Sequence, residues 1–312
     1  MKRLLTFVTL SLFMFSAYSQ QDPQFSLNMF THAAINPGAA GSNDGVCATA
    51  LIREQWLGFE GRPSSKIFNA NTPLSFIGLP IGAGITITTD NVGFYKNVSF
   101  NLAGSYLLDL GSGKLGIGVD FGFNNHALSN TDWLGPGANG GGVPSDPGIP
   151  NDESAMAVDL GFGVFYKDDK MHLGVAARHL NEATMEFNAQ SMPPLKRHYY
   201  ITGGYNIQLP NPYFELKPSI FTKYDGASMQ MDANVILEYN KRIWGGMSYR
   251  LEDAYVAMFG MDFEGGYSFG VAWDFPVTEI GTYASGSIEF FLRYCFYISA
   301  DSRRGRGRAI WD

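Results

Sequence analysis

The 312-residue chain has 22 Lys and Arg against 29 Asp and Glu, and its modest formal net charge of −7 does not suggest nucleic-acid binding. Only 16% of residues are charged, 14% are aromatic and 37 are glycine. Its two cysteines cannot build a disulfide framework, and nothing beyond the first 20 residues is apolar for the ~18 residues of a transmembrane helix. Sparse charge with abundant glycine and aromatic residues suits a membrane β-barrel, with glycines on the inner face and aromatics toward lipid.

Residues 1–19 read as a secretory signal: Lys2 and Arg3, an apolar run from Leu4 to Phe15, and a small-residue end at Ala17-Tyr18-Ser19, with cleavage expected after Ser19. The run is short for a membrane span, and no cysteine follows the cut to carry a lipid. Residues 20–45 form a periplasmic lead-in, a short helix or coil with Phe25, Met29 and Phe30 on one side. It is expected to pack in the periplasmic mouth, because those side chains are costly to leave in water. In "INPG", Pro37 disfavours helix at Asn36 and turns the chain into the first strand.

From residue 46 to 297 the pattern is alternation. In "KLGIGVDFGFN", Leu115, Ile117, Val119, Phe121 and Phe123 share one face, and Gly116, Gly118, Asp120, Gly122 and Asn124 the other. "MAVDLGFGVFY" and "IEFFLRYCF" repeat it, the latter with Glu289, Arg293 and Cys295 on the polar face. No helix is predicted to cover the apolar face, so lipid is the outer solvent. An all-β outer-membrane β-barrel of 14 antiparallel strands is predicted, with strands near 46–57, 65–75, 81–90, 97–109, 114–127, 154–167, 170–180, 196–208, 213–224, 230–240, 242–251, 254–263, 266–275 and 285–297. An even count is what bacterial single-chain barrels have.

Connections after even-numbered strands are tight turns such as "DLGSGK", "KDD" and "LPNP". The longest, 129–153 and 181–195, follow odd-numbered strands, as does "PVTEIGTYAS". This parity puts short turns and both termini on the periplasmic side and the longer loops outside. Residues 298–312 form a basic periplasmic tail. An Arg placed at lipid-facing Val119 or Phe121 is expected to harm assembly more than one at lumen-facing Gly118 or Asp120.

Arg53 and Gln55 share a face of the first strand and are expected to form a lumen network, Arg53 being satisfied by inward carboxylates such as Asp120, Asp159 or Glu289. Cys47 and Cys295 fall at the same rim of the seam between first and last strands, both inward and within about 12 Å by strand spacing. Whether they bond depends on a register that the sequence leaves open. Chemistry is otherwise thin. His32, His126, His172, His179 and His198 show no metal-ligand spacing, "GSGK" lacks the rest of a P-loop, and there is no G-x-S-x-G. No catalytic residue, cofactor or metal is expected.

The ordered set "QDPQFS", "NPGAAG", "REQW" and "NTP" resembles the PorP/SprF family of type IX secretion membrane proteins of the Bacteroidetes. The matching residues are Asp22, Pro23, Phe25 and Ser26; Asn36, Pro37, Ala39, Ala40 and Gly41; Arg53, Gln55 and Trp56; and Thr72-Pro73. "TDNVGFYKN", "KRHYYITGGY" and "LKPSIFTKY" follow. Leu27, Gly38 and Thr72 depart from the family pattern. The resemblance implies a non-enzymatic outer-membrane component of the type IX machine, in a system tied to protein secretion and gliding motility. Its partners would be a secreted type IX substrate, periplasmic ring proteins and outer-membrane lipid. Asp22, Pro23, Phe25, Asn36 and Pro37 then become candidate partner-binding residues. The alternative is a passive outer-membrane channel or hydrophobic-solute transporter.

Overall fold

Alternating residues give strands here because each strand can satisfy its backbone only by pairing with its neighbours, and the last must find the first. The computed structural model describes residues 22–43, 45–74, 77–128, 153–185 and 194–296. The expected signal peptide, the interior of the longest loop and the basic tail lie outside the described residues. The strands are β1 (Val46–Glu54), β2 (Ser64–Pro73), β3 (Ile81–Val92), β4 (Tyr95–Leu110), β5 (Gly113–Leu128), β6 (Glu153–Lys167), β7 (Met171–Arg178), β8 (His198–Tyr205), β9 (Phe214–Tyr224), β10 (Met229–Tyr239), β11 (Ile243–Arg250), β12 (Ala254–Phe263), β13 (Tyr267–Pro276) and β14 (Ser287–Phe296). Ile207–Gln208 continues β8 along β9 after a break at Asn206. Every pairing is antiparallel, and β1 joins β14 from Val46↔Phe296 to Glu54↔Ile288, closing the 14-strand barrel.

The faces follow the alternation. On β5, Val119 is 60% exposed on the outer wall while Asp120 is 7% exposed inside. Outward aromatics gather at both ends: Tyr95, Tyr199, Tyr224, Tyr249 and Tyr255 at one, and Tyr205, Tyr213, Tyr239, Phe263 and Tyr267 at the other. An apolar band between two tyrosine-rich girdles is the surface of a membrane barrel. Among the described residues, no helix is long and apolar enough to cross a membrane.

Connections 55–63, 129–152, 179–197 and 277–286 share one end, called here the long-loop end. At the short-turn end the longest connection is 74–80. A turn there shows the local logic: Asp168 accepts the backbone N–H groups of Lys170 and Met171, each at 2.7 Å, and reverses the chain between β6 and β7.

The lead-in departs from expectation. It does not sit at the short-turn mouth but runs through the lumen, as a 3₁₀ turn (Asn28–Phe30), one α-helical turn (His32–Ile35) and a second 3₁₀ turn (Pro37–Ala39). Asn36 caps the last of these, its Oδ1 accepting the N–H of Gly38 at 2.9 Å. Phe25 and Leu27 pack with Leu51, Ile67, Trp244, Met258 and Phe291 of the wall, and Phe30 stacks on Phe291 at 4.6 Å. The lumen is therefore not simply polar. It holds an apolar core built between the lead-in and the side of the barrel that runs from β10 through the seam to β2.

Cys47 and Cys295 are register partners at the short-turn rim and form a disulfide, with Cα atoms 4.1 Å apart. β1 ends at Glu54, short of the expected boundary. Trp56 takes a left-handed conformation (φ 56°) and Leu57 donates to the carbonyl of Gly286 across the seam.

Candidate functional site: a plugged lumen

The lead-in is seated by glycines. A Cβ on Gly118 would lie 2.4 Å from the Pro37 carbonyl carbon, and one on Gly163 would lie 2.1 Å from Asn36 Oδ1. Only a bare backbone on the inner face of β5 and β6 lets "NPG" approach this closely. Asn36 Nδ2 then donates to the carbonyls of Val164 (3.0 Å) and Val175 (3.2 Å), and Ser105 Oγ donates to the carbonyl of Ala40 at 2.6 Å. Gly41 (φ 71°) leaves the lumen against Gly82, Thr72 and Pro73, so the "NTP" segment forms the exit.

A first polar cluster is centred on Ser26, near the long-loop ends of β1, β11, β13 and β14. Its hydroxyl donates to Asp274 Oδ1 (2.7 Å) and accepts from Arg53 (2.9 Å) and Arg250 (2.8 Å). The backbone N–H groups of Ser26 and Leu27 both donate to Glu289, at 2.8 and 2.7 Å. Arg53 pairs with Asp274 (2.6 Å) and Glu289 (3.2 Å), and Arg250 with Asp274 (2.8 Å) and Asp232 (3.1 Å). All five charged side chains are buried. Such charges stay folded because each is paired and hydrogen-bonded, and removing one leaves another uncompensated.

A second cluster surrounds Asp22. Its carboxylate meets His179 Nε2 at 3.0 Å and accepts the Tyr200 hydroxyl, while its carbonyl accepts Lys223 at 2.6 Å. Its N–H donates to His198 Nε2 at 3.2 Å. His179 Nδ1 lies 2.9 Å from Asp159, which also faces Arg178 at 3.7 Å and accepts from Asn124 at 3.1 Å. Burial alone would lower the His179 pKa, but the carboxylates of Asp22 and Asp159 outweigh it and push it up to about 9.

Two cavities flank the plug. One of about 450 Å³ opens among Asp22, His179, His198 and Tyr200 at the long-loop end. One of about 570 Å³ lies among Lys114, Lys167, Arg293 and the disulfide at the short-turn end. Their linings share no residue.

Of the expected site residues, Asp22, Phe25, Asn36 and Pro37 are committed to the barrel's own wall, and Pro23 lines the long-loop cavity. None forms an open surface at the short-turn mouth. Arg53 lies in the lumen, and Glu289 is one of its partners. Asp120 and Asp159 are not; they belong to the second cluster, where Asn101 donates to both. Gln55 lies past the end of β1 in the connection, and none of the first cluster's hydrogen bonds reaches it. Ser26, Arg250, Asp232, Asp274 and Lys223 were missed. The last four carried a signal, since each is a charged residue in the inward phase of a strand whose other face is aromatic or aliphatic.

The type IX secretion system membrane protein PorP/SprF family matches residues 17–294, most of the chain. The chain belongs to this family. No curated protein matches it. Solved structures to which this PorP/SprF chain is similar include the outer membrane protein Omp33 of Acinetobacter baumannii, at 5% identity and a TM-score of 0.47, covering 82% of this chain and 100% of that one. The toluene transporter TbuX of Ralstonia pickettii aligns at 11% identity and a TM-score of 0.48, over 84% of this chain and 92% of its own. TodX of Pseudomonas putida, also a toluene transporter, gives 11% and 0.47, over 85% and 93%. The chain is a type IX secretion system membrane protein by family, and its fold is a closed 14-stranded antiparallel β-barrel.

Proposed function

We infer that the protein is a non-enzymatic, plugged barrel of the outer membrane that supports export or surface attachment of a partner carried by the type IX machine. One observation carries this reading: the residues that bear the family pattern are the ones that seat the plug. Ser26 and Arg53 meet in the first cluster, Asn36 and Pro37 lie on the β5–β6 glycines, and Gly41 rests on Thr72-Pro73. What the pattern maintains is a closed lumen with two separate vestibules.

Because the lead-in is engaged inside the wall, docking falls to the rims. Connections 129–152 and 179–197 suit a secreted substrate outside. The short-turn rim, with the 298–312 tail, suits the periplasmic ring proteins. The short turns are taken as periplasmic, as in other barrels of this kind. Disrupting the gene should abolish surface display of one type IX substrate while other exported proteins are displayed normally, and the intact gene should restore it. An unchanged surface proteome would sink the reading. The passive-channel alternative is opposed by the plug: in planar bilayers the intact protein should show no large steady conductance, and such a conductance would favour the channel.

A further inference from the structure

Asp22, His179 and His198 lie far apart in sequence and come from separate elements: the start of the lead-in, the residue after β7, and the first residue of β8. Their candidate ligand atoms all lie within 4.8 Å of one another. The arrangement around them is more particular than a chance meeting of polar groups. His198 Nδ1 is 2.9 Å from the carbonyl oxygen of Lys196. A carbonyl can only accept, so Nδ1 carries the hydrogen and Nε2 presents its lone pair, which accepts the Asp22 N–H and would turn from it to an ion. His179 Nδ1 faces the Asp159 carboxylate at 2.9 Å, which sets its ring in the same sense. Both Nε2 atoms then point toward Asp22, at 3.0 Å from its Oδ1 for His179 and 3.2 Å from its N for His198. Histidines held through Nδ1–H by a carboxylate and by a carbonyl, with Nε2 convergent on a third ligand, are the supporting arrangement of metal-binding histidines.

We propose that Asp22, His179 and His198 bind a divalent transition-metal ion of the zinc type. Two imidazoles and one carboxylate match zinc rather than calcium or magnesium, which take oxygen ligands. Metal–ligand bonds of about 2.0–2.2 Å put neighbouring ligand atoms about 3.3 Å apart in a tetrahedron. One pair is already at 3.0 Å, and the set closes by small shifts of the rings. The site borders the long-loop cavity of about 450 Å³, which supplies an approach path and room for water as a fourth ligand. Nearby charge is mixed: Arg178 and Lys223 oppose a cation, while Asp159 and Asp22 favour it. Without an ion, the His179 ring donates Nδ1–H to Asp159 and Nε2–H to Asp22; the ion takes the place of the Nε2 proton, which is released to solvent. Its effect is to pin the first described residue of the plug to the outer half of the wall.

The test uses the full chain purified from outer membranes, dialysed against ZnCl₂ and then metal-free buffer, with zinc counted by mass spectrometry. About one zinc per barrel is expected, and Co²⁺ in its place should give the visible bands of a four- or five-coordinate ion. His198→Gln, which leaves the Asp159–His179–Asp22 chain whole, should lose zinc at least about tenfold. Asp159→Asn should weaken it about 10–100-fold. His172→Gln, near His32 on the other side of the plug, should leave it unchanged. Heat-dependent gel mobility reports whether each variant is folded. Should a variant fail to fold, zinc protection of wild-type histidines against diethylpyrocarbonate decides: His198 should be protected and His126, which lines the same cavity, not. Absence of retained zinc, equal zinc in His198→Gln and wild type, or no protection overturns the site.

Discussion

Ser26 offers one hydroxyl to Arg53, Arg250 and Asp274 at once, inside a region that water does not reach. Ser26→Ala should lower stability by about 1–3 kcal/mol, the cost of leaving buried charged partners short of a hydrogen bond. Arg53→Leu should cost more, about 3–5 kcal/mol, since Asp274 and Glu289 lose a buried counter-charge. Gln55→Ala should stay within about 0.5 kcal/mol. Urea unfolding of the detergent-solubilised barrel measures all of these, and a Gln55→Ala loss as large as that of Arg53→Leu would contradict the assignment. Arg53 was legible in the sequence because a charge on the inward phase of a strand must go into the lumen. Of its partners, Glu289 on the neighbouring last strand was among the expected carboxylates and Asp274, one strand further round, was not; Asp159 is an equally good carboxylate but lies on β6, on a distant part of the wall.

At the scale of elements, the inward glycines matter as shape. Gly163→Leu should push Asn36 and Pro37 off the wall and raise single-channel conductance above that of the intact barrel. Gly104→Leu should not, because Gly104 lies in the outward phase of β4 and a side chain there meets nothing within 4 Å. A silent Gly163→Leu would mean that the plug holds by its other anchors. Val119→Arg should reduce the folded fraction, since Arg on the lipid face near mid-bilayer costs about 2–4 kcal/mol. The structure changes the expectation for its neighbours. Gly118 and Asp120 are not tolerant lumen positions, for Gly118 touches Pro37 and Asp120 accepts from Asn101. Alternation revealed which residues point inward, but not that a segment before the barrel occupies the space they face. A lead-in with no regular period leaves no trace of its destination.

For the whole molecule, strand number, order and faces were readable because every strand repeats one constraint: pair on both edges, lipid on one side. The seam was readable to within its register, and the structure adds the bond. Reducing Cys47–Cys295, or replacing both with Ala, should leave the barrel closed, because β1 and β14 stay paired along their length. It should lower the urea midpoint, since the bond spans 248 residues and the chain-entropy model assigns about 5 kcal/mol to a loop of that size. An unchanged midpoint would mean that the thiols are free. Epitope tags within 129–152 or 186–193 should be reached by antibody on intact cells, and a tag at Asp168 only after permeabilisation. The reverse pattern would invert the barrel.

The lead-in precedes every strand, yet it ends up enclosed by all of them, and this constrains the order of assembly. Its contact with Arg53 spans only 27 residues, whereas its contact with Glu289 spans 263. Short loops close first, so the lead-in can settle on β1 while the ring is still open. It then presents the N–H groups of Ser26 and Leu27 beside Arg53, and Arg53 is the register partner of Glu289. The arriving β14 finds its carboxylate receptor already assembled at one rim and its thiol partner, Cys47, waiting at the other. A stopper for the finished pore thus serves beforehand as a jig: it measures where the final strand must stop sliding.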